Sequence, residues 1–296
     1  MNAPVLIRTL SALLLAIPLL YLLLAGSPGL LFLLVVPVAA LLVHEWHRLR
    51  EPPLGREDSL RRFLPLLFGV LLILVSGVPK VGWLAALPSL PLSLSCMLLL
   101  LFFFAEGVWH YQPGRSALED ICRRYFGVLY CALPLALLLD VRQGVQGGVL
   151  ICFLLLIIWA TDVGAFFAGR RWGERKLAPL ISPGKTLAGF WGGVVLASLT
   201  GGILSFLLSL FEQPFPYDWP AATLLGAVLS VVGQVGDLAE SLLKREAGVK
   251  DSGHLIPGHG GMLDRLDSLL FAAPVYYLFL WMQPLSATPG ALFLGG

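Results

Sequence analysis

The sequence predicts an all-α, polytopic integral membrane protein of about nine transmembrane helices with a cytoplasmic N-terminus. Three observations predict it. Apolar residues make up 57% of the 296-residue chain and charged residues only 13%, where a soluble domain is about one-quarter charged. Runs such as LIRTLSALLLAIPLLYLLLAG and GGVLICFLLLIIWA approach the roughly 20 residues needed to cross a bilayer. Alternating the loops between two sides places 18 of the 20 lysines and arginines on the same side as the N-terminus, a strong positive-inside bias. No segment shows the polar-apolar alternation of an outer-membrane barrel.

The spans are expected at 5–24, 29–43, 63–78, 92–106, 125–139, 148–168, 189–210, 221–235 and 269–282. The first follows Arg8 and ends at Ala25-Gly26-Ser27, which resembles a cleavable signal peptide. The many later spans favour a retained helix. The stretch PKVGWLAALPSLPL at 79–92 is ambiguous, because its prolines break any helix. Only Lys80 and Arg142 fall on the far side, so an odd number of spans is expected. The four cysteines, Cys96, Cys122, Cys131 and Cys152, form no CxxC pair. They support neither a disulfide framework nor a zinc site. Without a long polar linker or an internal repeat, residues 1–296 are expected to form a single membrane domain. Within it, 1–147 supplies hydrophobic helices, and 148–282 supplies the catalytic helices and cytoplasmic loops.

The polar residues concentrate in GQVGDLAESLLKREAGVKDSGHLIPGHGGMLDRLDS, Gly233 to Ser268. Asp237 and Glu240 are three apart at the end of one span, and Asp264 and Asp267 are three apart at the start of the next. That spacing puts each pair on one helical face. Carboxylates near hydrocarbon usually face a partner or a wet cavity, and oxygen ligands without cysteine suit a hard cation such as Mg²⁺. Helix capping is the alternative for Asp264 and Asp267. His254 and His259 lack the spacing of a helical zinc site. PGHGG, from Pro257 to Gly261, exposes backbone N–H groups in a glycine-rich turn of the kind that receives anions. Lys244, Arg245, Lys250 and Arg265 are cations for phosphate oxygens, or ordinary positive-inside anchors. A second polar cluster contains Asp162 and SPGKT, Ser182 to Thr186. It lacks the GxxxxGK[ST] pattern of a P-loop but leaves Ser182 and Lys185 as phosphate contacts. Together these residues imply a cytoplasm-facing, metal-dependent site for phosphorylated groups at bilayer depth.

The ordered pattern S-x-x-K-R-x4-K-D-x-G-x2-I-P-x-H-G-G-x-x-D-R-x-D, Ser241 to Asp267, resembles the signature of the phosphatidate cytidylyltransferase (CDP-diacylglycerol synthase) family. The similarity extends to Asp162, SPGKT, Gly189 and Gly192-Gly193, and weakly to Arg8 and HEW at 44–46. Many members carry an acidic or amide residue where this chain has Ala188. The resemblance implies transfer of the cytidylyl group of CTP to phosphatidate, with release of pyrophosphate and Mg²⁺ as cofactor. A second cation serves in some relatives. It implies Asp237 and Asp264 as metal ligands, with Asp267 beside them. Lys244, Arg245, Lys250 and Arg265 would hold phosphates, with His259, Gly260, Gly261, Ser182 and Lys185 as further substrate contacts. Asp237, Asp264, Lys244 and Arg265 are the expected catalytic group. The expected partners are CTP, phosphatidate and membrane lipid, without nucleic acid; a homodimer stays open. The expected location is a bacterial inner membrane. An ion-coupled transporter is the rival from another class, using Asp162, Asp237 and Asp264 as an ion path. The D-G-x2-A-R motif of CDP-alcohol phosphotransferases is missing from the sequence.

Overall fold

Apolar helices long enough to span a bilayer make up most of the architecture. The computed structural model describes residues 18–49, 59–77, 91–111, 116–144, 146–213, 215–253 and 260–282. Residues 18–25 are helical. They are followed by α1 (Pro28–Arg48), α2 (Ser59–Gly77), α3 (Leu92–Trp109), α4 (Ala117–Gln143) and α5 (Gly147–Trp172). A hairpin of β1 (Lys176–Ala178) and β2 (Ser182–Thr186) leads into α6 (Leu187–Leu210), α7 (Trp219–Glu246) and α8 (Leu263–Trp281). Six of these helices, α1 and α3 to α7, are long and apolar enough to cross a membrane. The chain is an all-α polytopic membrane protein. Most of the expected span at 5–24, the ambiguous stretch up to residue 90, and both His254 and His259 lie outside the described residues.

The helix ends follow local chemistry. Ser116, Thr186 and Asp218 each accept a hydrogen bond from a backbone N–H three residues on, starting α4, α6 and α7, as N-cap side chains do. Pro28 opens α1 at a position where its missing N–H costs nothing. Pro37, Pro65, Pro134 and Pro274 lie inside helices. Neighbouring helices can satisfy the freed backbone groups in a membrane bundle. The N-cap position of α8 is Met262, which has no side-chain cap of its own.

In the C-terminal half, α5, α6, α7 and α8 pack in sequence order. Small residues set the α5–α6 crossing. A Cβ on Gly192 would lie 2.2 Å from the Ala168 Cβ and 2.8 Å from the Gly164 oxygen, and one on Gly164 would lie 2.4 Å from the Gly192 oxygen. Close backbone approach at small residues is what holds helices together where lipid removes the hydrophobic drive. In the N-terminal half, α4 packs against α1, α2 and α3, and it also reaches α5 and α8. At one end of the bundle Tyr277 Oη donates to Asp140 Oδ2 at 2.7 Å and Tyr276 Oη to the Leu150 oxygen at 3.1 Å. The opposite end gathers the last turns of α1, α5 and α7, the first turns of α6 and α8, and the hairpin. This gathering agrees with the alternation of spans read from the charges.

The hairpin was not expected. SPGKT forms β2, paired antiparallel to β1 with Ala178 opposite Ser182 and Lys176 opposite Thr186. It feeds directly into α6, so Lys185 projects from an ordered strand next to the helix start.

Candidate functional site

Two charged clusters adjoin at this polar end. The first surrounds a cleft of about 390 Å³ between α5, the hairpin, α6 and α7. Phe166 and Phe190 form apolar walls, Gln234 and Gly189 line it, and Asp162, Asp237, Lys185 and Arg170 bring charge. Lys185 Nζ lies 2.6 Å from Asp237 Oδ2. Asp162 is near enough to Asp237, Lys185 and Arg265 to feel their charges, and Asp267 feels those of Asp237, Lys185 and Asp162. Asp162 lies ten residues before the end of α5, about 15 Å along the axis at 1.5 Å per residue. The cleft therefore carries carboxylates well below the helix ends, where isolated charges are costly. Gln234 is fixed by donating from Nε2 to the Phe190 oxygen and Ser230 Oγ, both at 3.3 Å.

The second cluster lies between α7, α8 and the end of α1. Lys244 Nζ sits 2.5 Å from Glu240 Oε2 and 2.6 Å from Asp264 Oδ1. Glu240 is fully buried, at 0% exposure. Asp264 Oδ2 accepts from the backbone N–H of Gly261 at 2.8 Å and of Ser252 at 3.0 Å. The Ser252 hydroxyl lies between two carboxylates, 3.0 Å from Asp264 Oδ2 and 3.1 Å from Glu45 Oε2. Its single proton serves one at a time. Glu45 comes from the last turn of α1 and is 5% exposed. It accepts from Met262 N at 2.9 Å and Leu263 N at 2.8 Å, which supplies the cap that α8 lacks locally.

The structure thus brings the expected residues together in two groups. Lys185 and Asp237 share the cleft with Asp162, and Asp267 lies within reach of their charges; Lys244, Glu240, Asp264 and Gly261 share the second cluster. Asp237 and Asp264, expected to share one ion, are each paired with a different lysine. The capping geometry considered for Asp264 is present, since Oδ2 accepts from the Gly261 N–H just before α8. Among the described residues no group of three or more His, Cys, Asp or Glu side chains is arranged to hold a metal ion. Arg245 Nε donates to the Ile181 oxygen at 3.2 Å, which fastens the hairpin to α7. Ser182 is half-buried on β2, Lys250 and Arg265 are exposed, and Gly260 takes φ +78°. A Cβ on Gly260 would lie 2.8 Å from Asp264 Oδ2, so glycine is required there both by conformation and by space. His259 lies outside the described residues. Glu45 entered the sequence reading only within HEW at 44–46 and without a role. Its other signal is a carboxylate in the last turn of an apolar span.

The model of the cytidylyltransferase family matches residues 6–283. The phosphatidate cytidylyltransferase of Brucella melitensis is 45% identical over 171 residues, 56% of this chain and 60% of the relative. That of Bacillus subtilis is 44% identical over 153 residues, 51% of this chain and 55% of the relative. That of Staphylococcus epidermidis is 38% identical over 169 residues, 57% and 62% of the two. The aligned region thus spans less than two thirds of the length of each of these relatives.

Proposed function

Since this chain belongs to the cytidylyltransferase family, we propose that it transfers the cytidylyl group of CTP to phosphatidate, giving CDP-diacylglycerol and pyrophosphate. The relatives named phosphatidate cytidylyltransferase support this reading. The observation that carries it is a charged cleft with apolar walls at the end of a membrane bundle, with Lys185 and Asp237 paired inside it. A lipid phosphate and a nucleotide could meet there while the acyl chains stay among helices. The positive-inside bias points this end to the cytoplasm, and the bacterial relatives point to the inner membrane.

In this reaction a phosphate oxygen of phosphatidate attacks the α-phosphorus of CTP. A new P–O bond forms, the bond from Pα to the bridging oxygen of the β-phosphate breaks, and pyrophosphate carries off that electron pair. The attacking oxygen is already anionic, so no strong general base is needed. The chain's task is to hold phosphates in line and offset their charge. Lys185 meets a phosphate by exchanging its contact with Asp237. Lys244 and Arg265 add positive charge at the mouth, with Arg245 and Lys250 beyond them. Gly260 and Gly261 let the chain turn closely into α8, where Asp264 and Glu45 already hold the first N–H groups.

Mg²⁺, when bound, supplies charge neutralisation and orientation of the phosphates. The donor set fits it without a preformed cage, because Mg²⁺ takes one or two carboxylates and completes its shell with water and substrate phosphates. Asp237 and Asp267 would hold it, at a place where the Lys185 ammonium already lies 2.6 Å from a carboxylate oxygen. Asp264 would join through Oδ1, by giving up Lys244.

The test uses purified protein in vesicles containing phosphatidate, with CTP labelled at the α-phosphate. Label should enter the organic phase with Mg²⁺ and stay aqueous with EDTA. CTP labelled at the γ-phosphate should leave the lipid unlabelled. α-label that remains aqueous in the presence of Mg²⁺ would overturn the reading.

A further inference from the structure

We propose that Glu45, on the first long helix, is a positioning residue for the C-terminal site: it holds the chain on both sides of residues 254–259 and so sets Asp264 and Lys244 in place. The inference rests on the proposed reaction for its kinetic readout, but its geometry stands independently. One carboxylate reaches 217 and 218 residues along the chain to accept from Met262 N and Leu263 N. It also accepts from Ser252 Oγ. The backbone N–H groups of Ser252 and Gly261 in turn donate to Asp264 Oδ2, and Asp264 Oδ1 holds Lys244. The chain of contacts is continuous from α1 to the lysine.

The surroundings are shaped around this carboxylate. A Cβ on Gly253 would come 2.8 Å from Glu45 Oε1, and one on Gly261 would come 2.6 Å from Glu45 Oε2 and 2.1 Å from Ser252 Oγ. Only glycine at both positions lets the chain close over the side chain. The base is also fixed. Trp46 Nε1 donates to the Arg123 oxygen at 3.2 Å, and its ring lies 5.5 Å from Phe126 and 5.2 Å from Tyr130. A Cβ on Gly127 would lie 2.2 Å from the Trp46 ring, so α4 also leaves room for this anchor. A buried carboxylate is costly unless fully hydrogen-bonded. Here two helix N–H groups, a hydroxyl and the positive end of α8 offset that cost. An amide cannot replace it: with one oxygen it would keep one N–H partner and turn its own NH₂ toward the other.

The experiment compares wild type with Glu45→Gln by amide hydrogen exchange of the substrate-free protein in detergent, and by steady-state turnover. Exchange at Met262 and Leu263 should quicken roughly tenfold or more, while exchange across 269–281 stays unchanged, as expected for a local opening. Turnover should show kcat reduced at least tenfold, with KM for CTP moving less than about threefold, because a misplaced reacting group lowers the rate more than the binding. Gly261→Ala should reproduce both effects, and Glu45→Asp should fall between. The proposal is overturned if Glu45→Gln exchanges like wild type at these two amides, or if its kcat stays within about twofold. It is equally overturned if exchange quickens along the whole of α8, since that marks general loosening. If Glu45→Gln does not accumulate, Glu45→Asp and Gly261→Ala decide by the same criteria. If wild type transfers no label to lipid, the proposed reaction fails, and the exchange result alone judges Glu45.

Discussion

Lys244 is the residue whose removal separates a structural from a chemical role. Its ammonium bridges Glu240 Oε2 at 2.5 Å and Asp264 Oδ1 at 2.6 Å, with side-chain exposures of 13% for the lysine, 1% for Glu240 and 12% for Asp264. Lys244→Met keeps most of the stem volume and leaves two carboxylates facing each other without a cation. Breaking a buried pair by removing one partner costs about 3–5 kcal/mol. At roughly 2–4 °C per kcal/mol for a chain of this order of size, the melting temperature should fall about 6–20 °C. Buried Cys131 and Cys152 provide the readout: a thiol-reactive dye reaches them only as the bundle opens, above a constant signal from exposed Cys122. Adding Glu240→Gln removes the orphaned charge and should recover at least half of the loss. Turnover should not return in the double variant, because Lys244 is still missing from the proposed phosphate site. The reasoning is refuted if Lys244→Met melts within about 2 °C of wild type, or if the double variant melts lower than the single one.

Three further outcomes follow from other parts of the molecule. Lys185→Gln removes the ammonium that pairs with Asp237; label transfer from CTP to lipid should fall roughly 100-fold or more, as when a charge-stabilising donor is lost, and a value within fivefold of wild type would remove Lys185 from the site. Gly192→Val places a side chain where even a Cβ would lie 2.2 Å from the Ala168 Cβ; the protein should melt at least several degrees lower although glycine is the poorer helix former, and a higher melting temperature would mean that α5 and α6 do not cross this closely. Arg142, whose guanidinium donates to the Gly26 oxygen at the opposite end of the bundle, can become alanine with turnover within about twofold; a large loss would place the chemistry at the wrong end.

Features that depend on many residues were legible in the sequence, and those that depend on one pairing were not. Apolar length along α1 and α3 to α7 predicts helices because a bilayer demands about 20 such residues. The charges predict the shared end because each lysine or arginine adds to one count. Asp162, Asp237, Asp264 and Asp267 stood out because carboxylates are rare beside hydrocarbon, and the structure places all four at that end. The hairpin did not stand out: its strands have 3 and 5 residues, and SPGKT contains two residues depleted in strands. The lysine partners were equally hidden. Lys185 and Asp237 are 52 residues apart, and no spacing rule links a strand to a helix across such a distance. Glu45 was the least visible, since its α8 partners follow more than two hundred residues later.

The two lysine pairs also suggest why the reaction would need a cation from outside. Asp237 pairs with one ammonium, Lys185, whose charge Asp162 and Asp267 also feel, and Asp162 feels Arg265 as well. Glu240 and Asp264 share another, Lys244. Acid thus exceeds base in the second cluster, where the balance is met partly by N–H groups on Asp264; in the first, Arg170 on the cleft wall and Arg265 join Lys185 opposite the three carboxylates. A nucleoside triphosphate and a lipid phosphate would add more negative charge to the same space. If Lys185 turns to a phosphate, Asp237 loses its counter-charge in a site where charges interact more strongly than in water. A divalent ion entering as the lysine leaves would restore the balance for both carboxylate and phosphate. On this argument Lys185→Gln should bind Mn²⁺, measured by its paramagnetic signal without substrate, at least as well as wild type does. Weaker binding would show that the lysine helps to build the ion's site and does not compete for it.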